Sequence, residues 1–482
     1  MDRRHFLQLA ASAAAGAALR PGLALAADST VLTPGDLQYQ GLFKLPIDDP
    51  TGARTRFGYS LGAMAIRRVA GELRIFITGS NGTAGGGDYN RFSDAVYEVA
   101  YPGVGSIDDA PRASFVRNWG DIYGGRRLLR DTNQSPMTRG LLYDQGRLWW
   151  GYGSQYFTGF DPDPSIGVSI LNESNGTTSK FGPWRTQEHS QRTRGYWAML
   201  PTDFASANTG GRRLAIGAPV TSGNAAGPRG SVLYALDNFD PTRLPPDTAG
   251  YTNGTIPYSL GTQRLVHHDL QNPQERNANY KICGWNVLYD YAQGAWIKPG
   301  EPNFNNDGLA LDYFSACAWV QTPTKAGLVY FGSMTDLVPG TNYAGDTLPH
   351  MWYGPNNMKC CHGQTGLTWG TGPQSPTQVP IMAIYNPADV AMAAQGLINP
   401  WGFAPTAFRQ LNTIAPSGIR PLISAPYQYS GAAFDPVDGL LLLVETDRDI
   451  VGEPRPVVHV FKVGDGTGAP SAPSNLRITT TP

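Results

Sequence analysis

Arginine, histidine and tyrosine recur in this chain just ahead of short apolar segments. Tyr59 precedes Gly62-Ala63-Met64-Ala65-Ile66, and Arg139 opens Gly140-Leu141-Leu142-Tyr143. His189 and Arg194 precede Gly195-Tyr196-Trp197-Ala198-Met199. Asp312 and Tyr313 lead into Ser315-Ala316-Cys317-Ala318-Trp319, and Tyr429 leads into Ser430-Gly431-Ala432-Ala433. Cations, proton carriers and phenols together suit β-elimination on a uronate. An arginine neutralises the carboxylate, a base takes the C5 proton, and an acid serves the leaving oxygen. Arg139 and Arg194 are the candidates for the charge, and His189, Tyr59 and Tyr313 for proton transfer. Tyr429 and Asp312 are candidates for substrate binding. The competing structural role has these arginines paired with carboxylates at strand edges and the tyrosines packed.

Two further sets of residues bear on chemistry. The segment from Asp346 to Gly363 is long and aromatic for a connecting loop, and it carries His350, Trp352, Tyr353 and His362. Such a segment suits the cover of a sugar site, with Trp352 stacking on a ring face. Glycoside hydrolysis would instead need two carboxylates facing one sugar. Asp88, Asp94, Asp312 and Asp336 are the candidates, and only Asp312 sits ahead of a repeated segment. His267 and His268 are adjacent on a predicted strand, so they point to opposite faces and do not share a metal. Cys283, Cys317, Cys360 and Cys361 permit disulfides in an oxidising compartment; the adjacent Cys360 and Cys361 can bridge each other or pair elsewhere, and three connectivities stay open. No metal is expected, because no CxxC spacing accompanies the histidines, and no cofactor is expected.

The elements that must position these residues follow from a repeat. The chain has 482 residues, a formal net charge of −1, 58 glycines and 39 prolines. That balance argues against nucleic acid or an anionic membrane as partner, and the turn-rich composition reads as all-β. Five segments share one order: a small residue, a short apolar strand, a turn, a second apolar strand and a polar exit. Their first strands centre on Met64, Leu141, Trp197, Ala318 and Ala433. A third strand follows each pair, at 94–99, 166–170, 231–236, 380–385 and 457–462, and a further candidate strand lies ahead of the pairs, as at 41–45 and 264–268. Such units cannot bury both faces alone and must stack around an axis. The expected domain is a β-propeller over residues 36–464, most simply five-bladed. The stretch from Asn238 to Tyr313 is long enough for an excursion or part of a sixth blade. Residues 465–482 read as a Pro- and Ser-rich tail.

The first residues carry a different signal. Arg3-Arg4-His5-Phe6-Leu7 is followed by an alanine-rich apolar run that ends in small residues near Ala27. It resembles the twin-arginine export motif, matching at Arg3, Arg4, Phe6 and Leu7 and departing at Asp2 and Gln8. The resemblance implies a signal peptide over residues 1–27 and a periplasmic or secreted, soluble mature protein. The repeat, in turn, resembles propeller-type carbohydrate-active enzymes in architecture and in the types of residue at one mouth. That resemblance implies a polysaccharide or oligosaccharide partner, with lyase, hydrolase and non-catalytic binder all open.

Overall fold

Short apolar runs separated by glycine-bearing turns pair into five antiparallel sheets. The computed structural model describes residues 29–47, 57–58, 60–79, 95–127, 137–153, 164–188, 190–219, 231–246, 259–267, 288–290, 295–297, 312–335, 378–400, 403, 405–420, 428–451 and 453–464. The segments expected to form a signal peptide and a tail lie outside them. The first described strands are β1 (Thr30–Val31) and β2 (Leu37–Lys44), which serve the last two blades. Blade one is β3 (Met64–Val69), β4 (Glu72–Gly79), β5 (Ala95–Ala100) and β6 (Ser114–Gly120). Blade two is β7 (Met137–Asp144), β8 (Arg147–Gly153), β9 (Ile166–Asn172) and β10 (Thr177–Thr186). Blade three is β11 (Trp197–Met199), β12 (Leu214–Ile216) and β13 (Val232–Leu236). After β14 (Ser259–Leu260), which lies along β10, β15 (Thr262–His267) completes it. A separate hairpin pairs β16 (Leu288–Asp290) with β17 (Ala295–Ile297). Blade four is β18 (Asp312–Gln321), β19 (Lys325–Thr335), β20 (Gln378–Tyr385) and β21 (Ala407–Gln410), with β1 alongside β19. Blade five is β22 (Tyr429–Asp435), β23 (Leu440–Val451), β24 (Glu453–Val463) and, from the other end of the chain, β2.

The ring is therefore a five-bladed propeller, with β3, β7, β11, β18 and β22 innermost. These are the strands that the repeat centred on Met64, Leu141, Trp197, Ala318 and Ala433. The candidate strands ahead of each pair have a different place than their position in sequence suggests. β15 and β2 are the outermost strands of the preceding blade, so each blade closes just before the next begins. The pairing of Leu37 with Val463 through Lys44 with Val457 joins the first blade-forming strand to the last. The long stretch after Asn238 supplies an outer strand and a hairpin, and the ring closes without a sixth blade.

Each inner strand runs from one face of the ring, here the upper, to the lower. Tight two-residue turns close the lower ends of blades one and two. Ala70-Gly71 and Gln145-Gly146 all have positive φ, which gives the type I′ twist that matches paired strands. Apolar side chains on both faces of each sheet fill the spaces between blades. Phe76, Trp119, Leu141 and Trp150 pack between blades one and two. Tyr196, Leu233, Cys317, Trp319 and Tyr330 pack between three and four.

The inner strands approach so closely near the upper face that only small residues fit. A Cβ on Gly140 would strike the Gly195 carbonyl and lie 3.0 Å from the Trp197 ring. Gly431 meets the Gly62 carbonyl in the same way, with Met64 Cβ 3.0 Å off. Gly140→Ala should thus lower stability by about 1–3 kcal/mol through overpacking. Urea unfolding checks this; an unchanged midpoint would show that the strands can separate freely.

Cys317 is a free, buried thiol on the inner strand of blade four. A disulfide at Cys317, one of the pairings the sequence permits, is therefore excluded. Its neighbours explain why: it sits among packed aromatic side chains between blades, and burial pushes its thiol well up, against a Tyr330 hydrogen bond. The other three cysteines lie outside the described residues. No helix among the described residues is long and apolar enough to cross a membrane.

Candidate functional site at the upper face

The segment that leads from β10 into β11 builds the centre of the upper face. Its backbone is fixed by polar side chains that would be costly to leave unpaired in the interior. Thr193 lies 3.1 Å from Ser165 and 2.9 Å from Thr186 between hydroxyl oxygens, and the Thr186 hydroxyl donates to the Glu188 carbonyl at 2.7 Å. Glu188 is buried between two guanidinium groups. It accepts from Arg192 at 3.0 Å and from Arg264 of β15 at 2.6 Å. Those two arginines thus have the structural role. Arg194 does not share that carboxylate. Its side chain crosses Gly153, where a Cβ would lie 3.2 Å from Arg194 Cβ and Cγ. A larger residue at 153 would displace it.

Arg139 and Arg194, predicted from different repeats, are brought together. Both are buried, and Arg139 Nη2 lies 3.5 Å from the Met137 sulfur. Burial first, and the charge of Arg139 second, pull the Arg194 guanidinium down to about 9. It stays charged at neutral pH, at a cost that a nearby anion would relieve. Arg127 stands on the same face, donating to the Thr138 hydroxyl at 3.3 Å and lying 4.0 Å over the Tyr123 ring.

The other candidates are placed as follows. Asp312 and Tyr313 are the first two residues of β18, opposite Met334 and Ser333, and so begin at the upper face. Tyr429 begins β22 at that face, but its ring is fully buried between blades four and five, with Leu441, Leu443 and Phe461. Its hydroxyl has no hydrogen-bond partner among the described residues. Tyr59, His189, His350, Trp352 and His362 lie outside the described residues, as do Asp88, Asp94, Asp336 and His268. His267 is buried in the outermost strand of blade three, with Nδ1 2.6 Å from the Tyr234 hydroxyl.

One charged network escaped the reading of the sequence. Glu445, at the upper part of β23, is fully buried. It lies 2.7 Å from His459 Nε2 and accepts from Arg420 Nε at 2.5 Å. His459 Nδ1 in turn lies 3.0 Å from the Tyr39 hydroxyl of β2. Burial pushes the Glu445 carboxyl up, but the His459 hydrogen bond and charge and the Arg420 charge outweigh it and leave it below its ordinary value. Burial and the Glu445 charge raise the Tyr39 phenol, against an opposing pull from Arg448. Two breaks in pattern carry the signal in the sequence. Glu445 ends the apolar run Leu440 to Val444, and His459 interrupts Val457-Val458-His459-Val460-Phe461.

A cavity of about 570 Å³ runs along the axis below this face and is lined by the inner strands of all five blades.

No protein-family model and no curated protein matches the chain. Among solved structures it is similar to a luciferin-regenerating enzyme, at 8% identity over 83% of this chain and 78% of that one, with a TM-score of 0.27. A likeness that loose carries no argument, and the fold rests on the strand pairing described above.

Proposed function

We propose that the protein is an exported carbohydrate-active propeller that takes an acidic glycan at its upper face and cleaves it by β-elimination. The observation that carries this reading is the juxtaposition of Arg139 and Arg194, two cations from neighbouring blades in a desolvated setting. A carboxylate brought between them would regain for Arg194 the charge stabilisation that burial and Arg139 remove. The same neutralisation is what the C5 carbanion of a uronate requires, and it strengthens as negative charge develops. Asp312 and Tyr313 begin a strand at the same face, which supports a role for either beside the sugar. His189, which directly precedes the buried Ser190, is assigned the proton transfer. The paired arginines and apolar run at the start of the chain support export, with residues before about Asp28 removed.

A second reading has a specific observation in its favour. His267 and His459, the two histidines among the described residues, are both buried and in contact with tyrosines away from the inner strands. A propeller that holds an acidic glycan without cleaving it needs only the arginines.

Turnover separates the two. The mature chain is incubated with uronate polymers, and the ultraviolet absorbance of the unsaturated product is followed. Arg139→Ala and Arg194→Ala are expected to reduce kcat/KM by at least about a hundredfold, the loss seen when one transition-state charge contact goes, while the unfolding midpoint holds or rises. If no uronate polymer is cleaved but binding is lost in both variants, the protein is a binder. If both variants match the parent in cleavage and binding, the upper-face reading is wrong.

A further inference from the structure

The axial cavity differs from the upper face in its chemistry. It descends from Met64, Leu141 and Trp197 to the lower turns, where Val437 is 69% exposed at the rim. Its walls are mainly apolar, with the rings of Trp197, Trp319 and Phe434 among them. Its volume of about 570 Å³ falls in the range of small-molecule sites, about 300–1,000 Å³.

Three arginines line it, and their circumstances differ. Arg67 makes a two-bond pair with Glu98, each bond 2.8 Å, and also pairs with Glu173. Arg68 pairs with Asp435 and Asp438. Arg213 pairs with no carboxylate among the described residues, and its Nε is buried without a hydrogen-bond partner. A second donor on the same wall is in the same condition. Trp197 is 4% exposed, and its indole N–H has no acceptor. By contrast, the Trp319 indole on the facing strand donates to Gln321 at 3.4 Å. Buried donors are nearly always satisfied in folded proteins, so two orphans on one cavity point to an acceptor that enters from outside.

We propose that the cavity is a binding site for a small monocarboxylate with an apolar body, its carboxylate accepting from Arg213 and the Trp197 indole N–H and its apolar part against the walls around Trp319 and Phe434. The site is independent of the upper face and of any reaction there. Apolar walls favour the body of such a ligand, and a guanidinium in a partly desolvated place favours a carboxylate over a neutral group. A long polymer does not fit a cavity of this volume, and a phosphate lacks the apolar part that the walls select.

The test uses the mature chain and two probes of equal length, decanoate and decanol, with binding followed by calorimetry and tryptophan fluorescence. Decanoate is expected to bind saturably and at least about tenfold more tightly than decanol, the scale of one hydrogen bond to a charged group. Arg213→Met should abolish that preference while keeping decanol binding, and Trp197→Phe should weaken decanoate severalfold. Parent protein that binds neither probe saturably, or binds both equally, overturns the proposal without any variant. So does an Arg213→Met protein that keeps the parent's preference.

Discussion

Glu445→Ala is expected to lower the stability of the protein by about 3–5 kcal/mol, the cost of breaking a buried ion pair from one side. The carboxylate is the common acceptor for His459 and Arg420, and its loss leaves both beside an apolar interior. Tyr39 would lose its place too, because its hydroxyl rests on His459. Glu445→Gln keeps the shape and one acceptor, so it should cost less. The pH dependence has a definite sign. The folded carboxyl lies below its ordinary value of 4.5. Its contribution is therefore fully present above that pH and is lost as pH falls through the lower, folded value. Urea unfolding of parent and Glu445→Gln between neutral and acid pH checks this. Curves that stay parallel down to acid pH would refute the assignment of the charge to Glu445.

A chain that starts at Leu45 is expected to lose cooperative unfolding altogether. It lacks β2, and with it the buried Leu37, Leu42 and Phe43. Each such side chain contributes about 1.5–3 kcal/mol, against a total stability of about 5–15 kcal/mol for an ordinary domain. The loss also bares the edge of β24, which invites pairing with other chains. Adding a peptide of residues 29–47 should restore the sharp transition by strand complementation. A truncated chain that unfolds at the parent's midpoint would show that blade five holds without its outer strand.

The propeller was legible because its cause is repetitive. Crowding at the axis demands small residues at Gly62, Gly140, Gly195 and Gly431 alike, and that demand leaves the same mark in each unit. The arginine pair was legible for the same reason, since equivalent positions in neighbouring blades share a height. The same rule did not fix side-chain direction. Tyr429 starts at the right height and turns between blades, because the sheet offers two faces and an aromatic ring gains more from the apolar one. The network of Glu445, His459, Arg420 and Tyr39 was hidden because it spans both ends of the chain. Arg213 was hidden because nothing in a sequence tells an arginine with a carboxylate partner from one without.

The pairing of β2 with β24 also sets an order of events during synthesis. The hydroxyl of Tyr39 and the ring of His459 meet across 420 residues of chain. Drawing such distant partners together costs about 5 kcal/mol in chain entropy by the logarithmic law. β2 is among the first of the described strands to leave the ribosome, and its partner is the last of them. Through the whole interval β2 is an unpaired edge, and four blades wait for a fifth that cannot close. Non-local closure of this kind slows folding and prolongs exposure to aggregation. A chaperone that holds the early segment, rather than one that speeds local pairing, is the kind of help this topology calls for.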